Sequence, residues 1–458
     1  MKSRSVMPAL GCLLFLATCT PGPNTSASRP GLGTAAVPAA GPISDAQDKA
    51  ADGGPPGTKT TPEAEAIPAR EAPSSGSAGN HQTASFTKAI AAFGVDLYRQ
   101  LGSSRKGNAV IAPASVSLAL AMTWSGARGQ TAQEMAKVCH LSGERSQAAS
   151  SARGLMLSLD YQDEGAGTLR VGNGLFVQAT CEPKPEFLDG VRHQFSGSVE
   201  ALDFQGQTES ARLTINSRMA EQTERHIQEV LPRGSLKPTT RLVVTNAVFF
   251  RGEWRSPFDA KATGQRVFYT DGQAAQKVPM MTTESDFNHA AVNNVQIVEL
   301  PYKGDALSML VVLPNERAGL GEVEAQLTVE RLDGWITALA RKRVVAMLPR
   351  FELRAATRLK EPLRALGMVL AFDPGRADFG GMTTDDNVSL DDVYHQVFVR
   401  VDEKGTEATA ATAAVVQAVS ATKSIDFIAD HPFLFVIRHR ASGALLFVGR
   451  VVAPADAA

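Results

Sequence analysis

Four groups of residues have types suited to chemistry. Cys139 and His140 are adjacent and offer a thiol beside a base, or two metal ligands. Asp385, Asp386, Asp391 and Asp392 gather carboxylates of the kind that hold calcium. Arg341, Lys342 and Arg343 form a cationic cluster of the kind that holds a polyanion. The fourth group, residues 405–424, is set apart by its many small residues and few charges. The first three fail on spacing. A lone Cys–His pair lacks the remaining ligands of a zinc site and reads as structural. The aspartates lack the alternating ligands and closing Glu of a calcium loop, so they read as a solvated acidic turn. The basic triplet, set just before a strand, reads as a solvated strand edge. No glycine-rich phosphate loop ending in Lys-Ser/Thr, no His-Glu-x-x-His and no Gly-x-Ser-x-Gly elbow occurs. An enzyme is therefore not expected, and neither a metal nor a cofactor is called for.

The fourth group has a pattern of its own. Residues 405–424 contain no Pro, no aromatic residue and one acidic residue, Glu407. Every second residue from Thr406, through Ala408, Ala410, Thr412, Ala414 and Val416 to Ala418, is small or β-branched and uncharged, as one face of a buried strand must be. The opposite face, Glu407, Thr409, Ala411, Ala413, Val415 and Gln417, holds the charge and the amide. Yet the alanines have poor strand propensity and suit an exposed loop. The segment is compatible with two states, and on composition alone the surface loop is favoured.

The rest of the chain must position this segment. Its 458 residues carry 46 Lys plus Arg against 47 Asp plus Glu, a net charge of −1, so no basic field exists to hold nucleic acid. No apolar run approaches the roughly 20 residues of a membrane span. Eleven of the 25 prolines lie in the first 80 residues, and no aromatic residue occurs between Phe15 and Phe86. Lys2 and Arg4 precede an apolar run from Val6 to Ala17, the pattern of a secretory signal over residues 1–18. It ends in Leu16, Ala17, Thr18 and Cys19, which resembles the lipobox of bacterial lipoproteins and implies a membrane anchor at Cys19, although Thr18 departs from the usual small residue there. Residues 19–81, rich in Ala, Gly, Pro, Ser and Thr, are expected to be a disordered tether. Residues 82–456 form the expected folded domain, a monomer. Within it Phe86, Ile90, Phe93, Leu97 and Leu101 mark one helix face that Gly102 ends, and a second amphipathic helix is expected from Ser115 to Ser125. Strand-like runs cover 241–250, 295–300, 308–313, 344–348, 434–437 and 445–448. Helices first and strands later predict an α+β fold. Cys139 and Cys181 are the two thiols of the domain, and sequence leaves their pairing open.

Val401-Asp-Glu-Lys-Gly-Thr-Glu-Ala-Thr-Ala-Ala-Thr412 resembles the hinge of the reactive-centre loop in serpins, the serine protease inhibitor family. The C-terminal run His431-Pro-Phe-Leu-Phe-Val-Ile-Arg-His439 with Leu446-Phe-Val-Gly-Arg-Val451 resembles the same family. Thr245-Asn-Ala-Val-Phe-Phe-Arg-Gly-Glu-Trp254, Val278-Pro-Met-Met281 and Glu299-Leu-Pro-Tyr302 extend the likeness over nearly all of residues 85–454. The resemblance implies about nine helices around three sheets, with a central five-stranded sheet that accepts the cleaved loop. It implies a suicide-substrate inhibitor: a serine protease cleaves the loop, is trapped as an acyl-enzyme and is displaced as the loop inserts. On that resemblance the loop spans about 403–424, the hinge glycine is Gly405, the first inserting side chain is Thr406, and Glu407, Ala408, Thr409, Ala410, Ala411 and Thr412 follow it. The family's spacing puts the reactive bond at Val419–Ser420, which suits an elastase-like protease; a slip of one or two residues to Ala418 or Ala421 keeps that preference. Lys423 is the trypsin-like alternative, and a cysteine protease target or a non-inhibitory binding role are others. Ser115, Asn246 and His395 match the polar cluster under the point where the sheet opens, with Ala112 standing where the family usually has Ser, and Trp254 matches the tryptophan near where the loop enters. The region after Cys139 where the family's heparin-binding helix would fall holds only Arg145 and Arg153 as Lys or Arg residues, so a heparin-type activator is not expected.

Overall fold

The computed structural model describes residues 77–102, 107–142, 144–159, 167–195, 197–270, 274–385, 387–406 and 423–454. The chain divides into two units, Met1–Glu71 and Ala72–Ala458, and all described residues lie in the second. They form nine α-helices and fifteen strands, an α+β fold. The apolar face of Phe86, Ile90, Phe93, Leu97 and Leu101 is buried on the helix Ser77–Gly102, which begins five residues inside the span expected as tether. Once that face has nucleated the helix, each added residue costs little.

A six-stranded sheet runs in the order Phe351–Arg358, Leu390–Val401, Gly405–Thr406, Leu242–Glu253, Gly167–Gln178 and Ser198–Leu202. Five of these are full strands; Gly405–Thr406 is a two-residue wedge. Below the wedge, Leu390–Val401 and Leu242–Glu253 pair directly and in parallel, with His395 opposite Asn246 and Phe398 opposite Phe249. Leu242–Glu253 shows no polar alternation because both its faces are covered. Val244, Val248 and Phe250 join the main core beside the helix Pro113–Gly126. Val243, Ala247 and Phe249 pack with Ile215 and Met219 of the helix Thr208–Gln222.

The other sheet has nine strands. Its long strand Ala274–Val292 changes partner along its length, pairing with Gly264–Thr270, then Ala340–Pro349, then Val295–Pro301. Two of the three expected sheets are thereby continuous. The C-terminal strands Phe433–His439 and Leu445–Val451 pair as a wholly buried hairpin.

Two expectations are corrected. The helix Pro113–Gly126 is buried on every side except at Ser125, so it is a core helix and not an amphipathic one. The aspartate group is not a solvated turn throughout: Asp392 lies fully buried in a strand, accepting from Arg358 Nε at 2.6 Å and from the Lys360 amide at 3.1 Å. Burial holds the neighbouring Asp391 carboxyl above its usual range.

Candidate functional site

Gly405 and Thr406 are seated at the top of the seam between Leu242–Glu253 and Leu390–Val401. Gly405 lies opposite Glu253, while Thr406 lies opposite Gly252 on one side and Val401 on the other, antiparallel to both. A Cβ on Gly405 would come within 1.9 Å of the Gly252 carbonyl oxygen, so only glycine fits there. Thr406 is fully buried.

The turn before it is held from several directions. The Asp402 amide donates to the Gly405 carbonyl at 2.8 Å, and the Asp402 carboxylate accepts from the Lys404 and Gly405 amides at 2.9 and 3.3 Å. Trp254 donates its ring N–H to the Asp402 carbonyl at 3.0 Å and its amide to the Lys404 carbonyl at 2.7 Å. This places Trp254 against the turn that leads into Gly405–Thr406. Glu403, with a side chain only 8% exposed, accepts from Arg350 Nε at 2.7 and 2.9 Å, from Arg350 Nη2 at 2.5 Å and from the Thr263 hydroxyl at 2.6 Å. Burial alone would raise the Glu403 carboxyl, but the bonds from Arg350 and Thr263 outweigh it and hold the group below its usual range.

Further down the seam lies a polar cluster. His395 Nε2 accepts the Ala112 amide at 3.1 Å, which leaves the ring proton on Nδ1 to donate to Asn246 Oδ1 at 2.6 Å. The Asn246 amide nitrogen donates to Ser115 Oγ and, at 2.5 Å, to Asn173 Oδ1. All four side chains are buried. Burial pushes the imidazole down to about 3, so it is neutral at physiological pH. Alanine at position 112 does not open the network, because the backbone N–H there supplies the bond. The cluster ties one strand of the seam to the other at the His395–Asn246 pair and ties both to the start of the core helix. An aromatic stack crosses the same seam nearby: His226 lies on Phe249 at 3.7 Å, and Phe249 on Phe398 at 6.1 Å.

Ser115, Asn246 and His395 are thus brought together, while Trp254, Gly405 and Thr406 form a second centre above them. Glu407, Ala408, Thr409, Ala410, Ala411, Thr412, Val419 and Ser420, together with Cys19, lie outside the described residues. Sequence reasoning missed Asn173, whose one signal is an amide between Gly172 and Gly174 in an apolar strand. It also missed Arg350 and Thr263, distant in sequence from Glu403 and without a local signature. Both Cys139 and Cys181 are free and buried, with thiols raised by burial to about 12 and about 11. His140 pairs with Asp96 at 2.8 Å, and among the described residues no cluster of metal-ligating side chains occurs.

A two-residue strand is thus seated by a glycine at the top of a seam between parallel strands, above a buried polar cluster. The family described as Serpin (serine protease inhibitor) matches residues 88–454. The chain belongs to the serpin family, whose members are protease inhibitors rather than enzymes. Serpin B6 of Pongo abelii is 39% identical over 369 residues, covering 79% of this chain and 97% of that protein. The Leukocyte elastase inhibitor of Xenopus laevis is 36% identical over 369 residues, with the same coverage. Among solved structures, Serpin48 of the insect Tenebrio molitor gives a TM-score of 0.73 at 28% identity, over 81% of this chain and 98% of that one. Uncleaved ovalbumin gives 0.74 at 28% identity, over 81% and 100%. These animal relatives do not bear out a bacterial lipoprotein-type leader.

Proposed function

We propose that the protein is an irreversible inhibitor of serine endopeptidases with an elastase-like preference, acting through cleavage of its loop at Val419–Ser420, acyl-enzyme trapping and insertion of the loop into the six-stranded sheet. The observation that carries this reading is the seated hinge. Gly405 and Thr406 already occupy the top of the seam in antiparallel register with both neighbours. Continuing that register without a slip brings Thr409 between Phe249 and Phe398, and Thr412 between Asn246 and His395. Each of these flanking pairs is already directly opposed, so one added strand fits both sides at once. Val416 would reach Leu242, where the strand begins. Residues 406–416 then make a new strand on the order of 35 Å long at roughly 3.3 Å per residue. Val419, with a protease attached, follows to the far end of the sheet. The even-numbered residues of the loop, all small or β-branched and uncharged, fall on the Asn246 side facing the core helix, so no charge is buried there.

The target preference rests on Val419 as a small aliphatic residue before the reactive bond. A relative named as an elastase inhibitor is compatible with it. Export with a lipid anchor at Cys19 is proposed from the leader pattern alone; a Cys19→Ser variant that still takes up a fatty-acid label in its cell of origin would refute it.

The decisive test incubates the purified protein with an elastase-like protease and resolves the products on a denaturing gel. A covalent complex, with the cleaved inhibitor melting well above the intact one, is expected. Cleaved chain alone at every ratio, with no rise in melting temperature, would remove the inhibitory reading and leave a binding role.

A further inference from the structure

Most of what holds the hinge is indifferent to the side chain at position 406. The bonds from Trp254 go to the carbonyls of Asp402 and Lys404, the turn closes through Asp402 and Gly405, and Arg350 and Thr263 hold Glu403. Among the described residues, the Thr406 side chain has one hydrogen-bond partner, Tyr302, whose hydroxyl lies 2.9 Å from Thr406 Oγ1 with both groups fully buried.

Tyr302 is itself set in place. Its ring stacks on Trp254 at a centroid distance of 4.5 Å and meets Phe250 edge-on at 5.1 Å. Backbone bonds from Arg255 to Pro301 at 2.9 Å and from Lys303 to Glu253 at 2.8 Å fix the chain on either side of it to the end of the strand Leu242–Glu253. Gly252 leaves room for the ring, since a Cβ there would come within 2.8 Å of it. Burial raises the phenol well above its usual range, so it stays protonated and able to donate or accept.

We propose that Tyr302 is a positioning residue for loop insertion: its hydroxyl clasps Thr406 and holds the hinge seated, in register, before any protease arrives. This rests on the inhibitory reading above. A buried hydroxyl left without its partner is costly, so loss of either hydroxyl alone disfavours the seated hinge relative to an expelled one. The seated hinge is the first rung of the inserted strand, and holding it removes the slowest step of strand growth, the correct start. The aromatic box reads position 406 for a short hydroxylated side chain, which accounts for threonine there when alanine occupies so much of the following run.

The test uses the full chain with Tyr302→Phe, Thr406→Val, Thr406→Ser and the double variant Tyr302→Phe/Thr406→Val. Two quantities are read. The first is hydrogen exchange at the Trp254 amide, which is bonded to the hinge and reports seating without any protease. The second is the number of inhibitor molecules consumed per elastase-like protease trapped. A net hydrogen bond between buried neutral groups corresponds to about a twofold to tenfold change in an equilibrium. Exchange and stoichiometry are each expected to rise by that factor in Tyr302→Phe and in Thr406→Val, to rise no further in the double variant, and to stay near wild type in Thr406→Ser. Unchanged exchange in Tyr302→Phe, which keeps the ring and its packing, would overturn the clasp, as would additive effects in the double variant. If the exchange pattern holds while the wild-type protein traps no protease, the clasp stands and the inhibitory reading falls.

Discussion

His395 makes the seam between Leu242–Glu253 and Leu390–Val401 sensitive to acid, by an amount that follows from its contacts. Its Nε2 accepts from the Ala112 amide and its Nδ1 donates to Asn246. Burial penalises the charged ring, and a second ring proton would also face the Ala112 N–H, so the native state resists protonation down to about pH 3, whereas an unfolded histidine takes its proton near pH 6.5. Between those values the unfolded chain holds a proton that the native one lacks. The stability tied to neutral His395 is therefore complete above about pH 6.5 and is lost as pH falls, by about 1.4 kcal/mol per unit. At pH 5 the loss is about 2 kcal/mol. With an unfolding entropy of about 0.8 kcal/mol per kelvin for a domain of this size, that is about 2–3 °C in Tm. The perturbation is His395→Gln, whose amide oxygen can accept from Ala112 and whose amide nitrogen can donate to Asn246 without titrating. The assay is thermal unfolding of both proteins at pH 7.5 and 5.0. Other shifted groups, among them Asp391, Asp402, Glu403, His289 and His439, titrate in both proteins and cancel in the comparison. The wild-type protein should lose about 2–3 °C more than the variant on acidification. Equal losses would refute the reasoning that a neutral imidazole closes this cluster.

Three further outcomes follow from the hinge. Thr406→Arg places a guanidinium in a fully buried site where, among the described residues, the native side chain bonds one hydroxyl; cleavage should proceed while trapped complex falls by tenfold or more, seen on denaturing gels as a shift from complex to cleaved chain. Gly405→Ala drives a methyl into the Gly252 carbonyl, so the Trp254 amide should lose its protection against exchange; retained protection would mean that the wedge is not tightly seated. Arg350→Ala leaves the nearly buried Glu403 carboxylate short of its main donor and should cost about 1–3 kcal/mol, read as a lower Tm at neutral pH. Because the pairing holds the Glu403 carboxyl low, that difference should shrink as pH falls through the carboxylate range.

What was legible in the sequence was local and periodic. The apolar face of the first helix and the strand runs came from spacing that one element imposes on its own residues. The uncharged alternate face beginning at Thr406 was visible as a period of two, while the hinge glycine came from the resemblance to serpins. Boundaries and burial were less legible, since they depend on what packs against an element: the helix Pro113–Gly126 is covered on all sides, and Asp392 is drawn into the sheet by Arg358.

Tertiary structure alone decided how the polar groups close. A sequence containing Ala112 left a missing hydroxyl in the cluster, and only the fold brings the backbone N–H of that residue to His395, 283 positions away. Arg350 meets Glu403 across 53 positions, and Tyr302 meets Thr406 across 104. Hydrogen bonds act over about 3 Å, and no pattern in a linear chain encodes which distant groups will come that close. The sequence by itself determined that a short segment with one uncharged face could become a strand; the seam, its polar cluster and the Tyr302 hydroxyl beside Thr406 decided where Gly405 and Thr406 are seated.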